Sequence, residues 1–261
     1  MTVDAAELAR DKRASKVPAV ALAFWVTKIA ATTLGETGGD AVSMSLNLGY
    51  LVATAIFGAI FLVALALQVF ARRYHPFSYW FVIVATTTVG TTISDYLDRT
   101  AGLGYPLASL ILFLLVLASL AIWRLSTGDI SVTHITDRKT EVFYWVTILI
   151  SNTLGTALGD YLADSEKFGF AGGALVFGGA IALIALAYFA TNIPRAILFW
   201  SAFILTRPLG ATLGDILTKP VQAGGLNLDR IESSLALAVF MAGCIFLTSL
   251  RRPAPIGAAS H

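Results

Sequence analysis

Eight long apolar segments follow one another along the chain, and short polar stretches separate them. They cover residues 18–39, 48–71, 77–96, 105–125, 142–162, 169–191, 196–217 and 233–250. About 20 apolar residues in a helix cross a hydrocarbon layer about 30 Å thick. Runs of this length satisfy their backbone groups in lipid only as helices. The pattern therefore predicts an all-α polytopic membrane bundle with about eight transmembrane helices.

A fixed spacing of glycine and aspartate recurs four times in these segments. In each copy one glycine stands five residues before an aspartate and another stands nine residues after it. The four aspartates are Asp40, Asp95, Asp160 and Asp215. Each repeat contains two helices, so all four repeats have the same orientation and are related by an axis along the membrane normal. The spacing predicts two repeat pairs, at 18–127 and 142–252, a linker at 128–141, and terminal segments at 1–17 and 253–261.

Composition and charge agree with a membrane protein and set its orientation. The chain is 57% hydrophobic and 13% charged, against roughly 25% charged residues in soluble domains. This composition argues against a nucleic-acid partner, and no cofactor motif or enzyme motif is present. Twelve lysines and arginines flank the segments on one side and four on the other, which predicts that both termini are cytoplasmic. Residues 1–17 mix acids and bases unlike a secretory signal, and the expected location is a cell inner membrane.

Small residues and aromatic residues each suggest a packing role. Glycine pairs four residues apart allow two helices to approach closely in lipid. The predicted packing glycines are Gly35, Gly39, Gly90, Gly155, Gly159, Gly210 and Gly214. Tryptophans and tyrosines near the segment ends are expected to form an interfacial belt. Those residues are Trp25, Tyr79, Trp80, Tyr96, Trp123, Tyr144, Trp145 and Trp200.

A polar stripe runs inward from each aspartate, because residues four apart share a helix face. Besides the four aspartates, it contains Glu36, Thr91 and Thr156 one turn inward and Thr32, Thr87 and Asn152 two turns inward. Polar residues facing lipid are costly, so we expect these stripes to face a common axis. The alternative is that each aspartate caps a neighbouring turn.

Three further charged residues within the apolar segments, Lys28, Glu36 and Arg207, are candidates for a gate or ion pair. Arg207 lies one turn deeper than Glu36, so the two could bridge facing helices, and Lys28 extends the first stripe inward. Pro208 follows Arg207 and could kink its helix. Purely structural pairing is the alternative interpretation.

At this point the sequence resembles a known family, the bacterial membrane proteins built from a two-helix repeat of unknown function with a Gly-x-x-x-x-Asp signature. The resemblance spans residues 20–250 and implies an integral membrane protein. The segment Glu36-Thr37-Gly38-Gly39-Asp40 also has a fainter similarity to the Glu-x-Gly-Asp-Lys/Arg motif of manganese and calcium exchangers. It departs from that motif by one extra residue and by lacking the following base.

The stripe chemistry predicts a transporter of cations. Aspartate, glutamate, threonine and asparagine oxygens suit Mg²⁺, Ca²⁺, Mn²⁺ or protons, and we take the four aspartates as candidate metal ligands. Five acids against two bases in the stripes leave a net charge of −3. We therefore expect divalent-cation export or cation/proton exchange, with a divalent cation or a proton as the substrate. The expected partner is the lipid bilayer, and a homo-oligomer is compatible with the sequence. The alternatives are a small organic solute transporter and a membrane scaffold or sensor.

Overall fold

The computed structural model describes residues 16–71, 74–132, 135, 137–165 and 168–250. Within these residues the chain forms eight α-helices and no strand. The helices are α1 (Leu22–Asp40), α2 (Gly49–Phe70), α3 (Pro76–Asp95), α4 (Tyr105–Thr127), α5 (Arg138–Asp160), α6 (Gly169–Ala190), α7 (Arg195–Thr218) and α8 (Arg230–Leu250). The predicted terminal segments lie almost entirely outside the described residues, which include only Lys16 and Val17 of the first.

Helix boundaries follow local signals that the hydrophobic pattern does not contain. The fifth helix begins at Arg138 instead of Val142, so most of its first turn lies in the predicted linker. Asp137 precedes it and accepts a hydrogen bond from the Thr140 backbone N–H, which is the usual N-cap interaction. Hydrogen bonding with Thr140 lowers the pKa of the Asp137 carboxyl below its ordinary value. The eighth helix likewise begins at Arg230, three residues before the predicted apolar run.

In repeats one to three the glycine–aspartate spacing corresponds to one repeated turn, whereas in repeat four α7 continues past Asp215 to Thr218. The aspartates of repeats one to three are the last residues of α1, α3 and α5, and a five-residue π-helix follows each. The glycines nine residues after the aspartates all have positive φ angles. They are Gly49, Gly104, Gly169 and Gly224. Because this conformation is unfavourable for residues with a Cβ, the second repeated glycine is explained by the turn.

The helices form two concentric layers. The odd-numbered helices, which we call the motif helices, form a closed ring in which α1 packs on α3, α3 on α5, α5 on α7 and α7 on α1. The even-numbered helices, which we call the outer helices, surround this ring. Each outer helix packs on the motif helix of the next repeat, as α2 does on α3, and α8 packs on α1. The predicted four parallel two-helix repeats are therefore present as a pseudo-fourfold arrangement.

The two layers differ in burial and polarity. The outer helices expose large apolar side chains over much of their surface, as expected against lipid, whereas the motif helices are largely buried. Six helices are long and apolar enough to span a membrane, namely α2, α4, α5 (extended to Ala163), α6, α7 and α8. The remaining two, α1 and α3, have similar lengths but carry many polar residues inside the ring. The chain is therefore a helical membrane protein with a polar centre.

Candidate functional site

Close contacts between the motif helices are made at the repeated glycines. A Cβ on Gly35 would overlap Thr87, one on Gly155 would overlap Arg207, and one on Gly210 would overlap Thr32. A Cβ on Gly90 would lie 3.0 Å from the backbone nitrogen of Thr153. The glycines five residues before each aspartate thus lie at the four seams of the ring. Each contacts the next motif helix at the residue eight positions before that helix's aspartate, or at the residue adjacent to that position. Gly39, Gly159 and Gly214 also meet the next motif helix, at Thr91, Ala211 and Glu36.

The four repeated aspartates lie together at one end of the ring, which we call the aspartate end. All four are buried. Arg99 binds two of them, with Nε 3.2 Å from an Asp95 oxygen and Nη2 3.3 Å from an Asp160 oxygen. Asp95 thus meets a base of its own repeat and Asp160 a base of the preceding repeat, and both contacts are ion pairs.

Lys219 takes the corresponding position on the other side. Its Nζ lies 2.9 Å from Asp40 Oδ2 and 3.1 Å from Asp215 Oδ1. Arg230 approaches the same pair, with Nε 3.7 Å from Asp40 Oδ2. Burial lowers the pKa of the Lys219 ammonium, but the charges of Asp215 and Asp40 outweigh this effect and hold the pKa above its ordinary value.

The sequence pattern did not indicate Arg99 and Lys219 as site residues, and both belong to the four bases counted on the outer side of the segments. A signal was present, because each stands four residues after an aspartate in repeats two and four. Together with Arg230 they bring the bases at the site to five, equal to the five acids. The net charge of −3 inferred from the stripes alone is therefore not the charge of the assembled site.

Arg207 occupies the axis one layer below the aspartates. It is fully buried, and its Nη2 lies 3.0 Å from Glu36 Oε2, so the contact considered from sequence is present. The same nitrogen donates to Thr156 Oγ1 at 2.7 Å and to Thr91 Oγ1. Glu36, Thr91 and Thr156 stand four residues before their aspartates, and the fourth such position is Ala211. The guanidinium thus contacts side chains from all three of the other repeats.

Lys28 lies on the axis one further layer down. It is also fully buried, and its Nζ lies 3.3 Å from Asn152 Oδ1 and 4.1 Å from the centre of the Phe203 ring. Asn152 in turn donates to Thr86 Oγ1 at 3.0 Å. The Lys28 ammonium thus contacts a neutral amide and an aromatic face.

Two predicted stripe residues lie in the helix seams. Thr32 Oγ1 is 3.1 Å from the Thr206 carbonyl oxygen of α7, and Thr87 Oγ1 is 3.2 Å from the Ala31 carbonyl oxygen of α1. Both hydroxyls also bond to their own helices. These threonines connect neighbouring helices through backbone carbonyls. The α7 helix is continuous through Pro208.

Aromatic side chains close the opposite end of the ring, and the predicted interfacial belt is wrong for most of them. Tyr79, Trp80, Tyr144, Trp145, Trp200 and Trp123 are buried. The hydroxyls of Tyr79 and Tyr144 lie 2.5 Å apart across the α3–α5 seam. The pair of aromatic residues fifteen and sixteen positions before each aspartate recurs in all four repeats, at 24–25, 79–80, 144–145 and 199–200. This unrecognised repeat places the aromatic residues inside the ring instead of at the lipid interface.

A cavity of about 290 Å³ lies at the aspartate end. Its lining residues are Met44, Arg99, Asp160, Phe170, Asp215, Lys219 and Arg230. The polar axis therefore continues into a vestibule at one end, whereas buried aromatic rings occupy the other end.

Three carboxylates, of which Asp215 lines this vestibule, are close enough to share one ion. Oxygens of Glu36, Asp40 and Asp215 lie within 4.8 Å of one another, and all three residues are buried. Asp215 Oδ1 makes no hydrogen bond, although Lys219 lies beside it. Carboxylate oxygens converging on one point are the ligands that hard divalent cations take. We call these residues the carboxylate trio, and Asp95 and Asp160 lie outside it.

Comparison with known proteins identifies a family but no activity. The family model described as Repeat of Unknown Function (DUF347) matches the chain four times, at residues 23–74, 78–129, 143–193 and 198–253. Neither the curated proteins nor the solved structures contain a match to this chain. The four matches coincide with the four pairs of a motif helix and an outer helix.

Proposed function

We propose that this chain, which belongs to the DUF347 repeat family, is a membrane transporter that exchanges a divalent cation for protons along the axis of the motif helices. The observation that carries the proposal is the carboxylate trio, of which Asp215 lines the vestibule. In this proposal Glu36, Asp40 and Asp215 bind the cation, while Asp95 and Asp160 complete the ring around the entrance.

Charge balance supports exchange rather than free conduction. Buried carboxylates are costly unless a proton, a cation or a tethered base compensates them. In this structure Arg207 and Lys219 compensate the trio. An incoming cation or proton would take over that role. The same carboxylates would then be compensated by the cation or proton when it is bound, and by the two bases after it is released.

The unequal ends of the axis support a mechanism with alternating access. The vestibule leads to the trio from one end, whereas Arg207 and the aromatic residues fill the path toward the other end. Separation of Arg207 from Glu36 would open the next layer. We place the aspartate end outside and both termini in the cytoplasm of a cell with an inner membrane, because lysines and arginines are enriched at the opposite end.

The test is transport of Mn²⁺ into vesicles that contain the purified full-length chain and an internal pH dye. We expect Mn²⁺ to enter as protons leave. Asp215→Asn should reduce Mn²⁺ entry by about tenfold or more, since even supporting groups of a metal site contribute 10- to 100-fold. Asp95→Asn removes a ring carboxylate outside the trio and should retain most of the transport.

Asp129→Asn is the matched surface control, because Asp129 is exposed and its carboxylate accepts a hydrogen bond from the adjacent Ile130 backbone N–H. Equal losses in the Asp215 and Asp95 variants would contradict the assignment of the trio. Vesicles that move neither Mn²⁺, Mg²⁺, Ca²⁺ nor protons above the empty-vesicle level would overturn the proposed function in favour of a scaffold. Movement of an organic solute instead would support the second class of transporter named above.

A further inference from the structure

Lys219 differs from the other bases of the site in position and surroundings. Arg207 is enclosed within the ring, and Arg99 contacts the aspartates outside the trio. Arg230, which also lines the vestibule, approaches one member of the trio, Asp40, at 3.7 Å. Lys219 contacts two members of the trio and also lines the vestibule. Its side chain retains 14% exposure, whereas the two carboxylates have 2% and 3%. Its ammonium therefore stands between the vestibule and the carboxylates that a cation entering from there must reach.

We propose that Lys219 is a tethered competitor for the cation site, and that it thereby sets the concentration at which the site accepts a divalent cation. This inference rests on the proposed function. A bound divalent cation and the Lys219 ammonium would both contact Asp40 Oδ2 and Asp215 Oδ1, and like charges a few ångströms apart repel strongly at a buried site. Binding thus requires that Lys219 withdraw from the trio.

The loop after α7 holds Lys219 in this position. The Asn227 backbone N–H donates to the Lys219 carbonyl at 3.0 Å, and the Leu226 N–H donates to the Ile216 carbonyl at 2.7 Å. A Cβ on Gly225 would overlap the Lys219 carbonyl group. The long side chain can move into the vestibule while this backbone stays fixed, which is the motion that competition requires.

The repeats supply the matched substitution. The position four residues after the aspartate is Lys219 in repeat four and Met44 in repeat one, and both residues line the vestibule. Lys219→Met therefore places at repeat four the residue that repeat one already carries. Met44→Lys is the reciprocal change and adds a second ammonium to the same cavity.

The experiment measures Mn²⁺ binding to the purified full-length chain, with free Mn²⁺ followed by electron paramagnetic resonance. We expect Lys219→Met to lower the Kd by about tenfold, equivalent to about 1.4 kcal/mol. We expect Met44→Lys to raise the Kd. Lys219→Arg keeps a tethered cation, so it should bind Mn²⁺ no more tightly than wild type. Met44 is only partly buried, so the reciprocal variant tests the proposal even if Lys219→Met does not fold.

The outcomes separate the two proposals. If wild type binds Mn²⁺ and Asp215→Asn does not, but Lys219→Met binds no more tightly than wild type, Lys219 is not a competitor and the site itself stands. A Met44→Lys variant with unchanged affinity would likewise contradict competition in the vestibule. If neither wild type nor Lys219→Met binds Mn²⁺, the carboxylate trio is not a cation site. Binding by Lys219→Met alone would support both.

Discussion

The two halves of the aspartate ring have the same fold and different electrostatics. On one side Arg99 joins Asp95 to Asp160, and the layer below contains the neutral Thr91 and Thr156. On the other side Lys219 joins Asp40 to Asp215, and the layer below contains Glu36. The first pair shares one guanidinium, and the neutral layer below it adds no further acid. The charged lower layer gives the second pair a third carboxylate. The repeated positions therefore supply a common scaffold, and single residues that differ between repeats supply the differences in charge.

The largest effect should come from breaking the Arg207–Glu36 pair, which creates the asymmetry. Arg207→Gln leaves a buried carboxylate without its partner, and removal of one member of a buried pair costs about 3–5 kcal/mol. We expect this variant to lose most folded protein in detergent, measured by thermal unfolding and size-exclusion chromatography. The double variant Glu36→Gln/Arg207→Gln should recover much of the loss. A single variant as stable as wild type would mean that the pair does not hold the two halves together.

The next largest effect tests whether the two halves share equivalent seams. Gly90→Ala crowds the α3–α5 seam and Gly210→Ala crowds the α7–α1 seam. Each should destabilise by about 1–3 kcal/mol, the usual cost of overpacking. Gly179 and Gly243 on the outer helices have open space at the Cβ position, so their alanine variants are matched controls that should be neutral or slightly stabilising. A large difference in thermal unfolding between the two seam variants would show that the two seams are not equivalent.

The smallest effect compares the two bridging bases directly. Arg99→Met should destabilise by roughly 2 kcal/mol and Lys219→Met by roughly 1 kcal/mol, both discounted for partial solvent exposure. Arg230 remains near Asp40 in the second variant, whereas Arg99 is the base that joins its pair. Thermal unfolding without added metal measures both changes.

The pH dependence of the Lys219 effect has a definite sign. Its raised pKa keeps the ammonium charged, so its contribution to stability is present below the unfolded pKa of about 10.4 and is lost only as pH rises through the folded value. The difference between Lys219→Met and wild type should therefore stay constant from about pH 6 to pH 9. A loss of stability in Lys219→Met larger than in Arg99→Met would reverse the expected order, because it would mean that Arg230 does not compensate Asp40 when Lys219 is absent.

Hydrophobic length and repeated spacing were sufficient to predict the fold class and the presence of four repeats. The Asp40, Asp95, Asp160 and Asp215 spacing is visible in one dimension, and parallel repeats of two helices must bring such residues to one end. The sequence also indicated that Arg207 and Glu36 could meet, since their depths differ by one turn.

Contacts between repeats could not be predicted in the same way. Arg99 and Lys219 stand in short polar connections, and nothing local distinguishes a solvated base from one that folds back over a neighbouring aspartate. The direction in which the repeats follow one another around the ring decides that Arg99 meets Asp160 and that Lys219 meets Asp40. The aromatic residues were misplaced for a related reason. A tryptophan near a helix end can face lipid or the ring, and only the packing of α1, α3, α5 and α7 settles which.

Packing of each outer helix on the next repeat fixes the number of repeats. In a solenoid, units stack in a line, length can vary, and terminal units need special surfaces. Here α8 covers α1 as α2 covers α3, so the first repeat is covered by the last and neither is an end. A chain with three units or five would have to change every crossing angle to close again. The architecture is therefore a closed ring with a fixed number of repeats, and it cannot be extended by adding one more repeat.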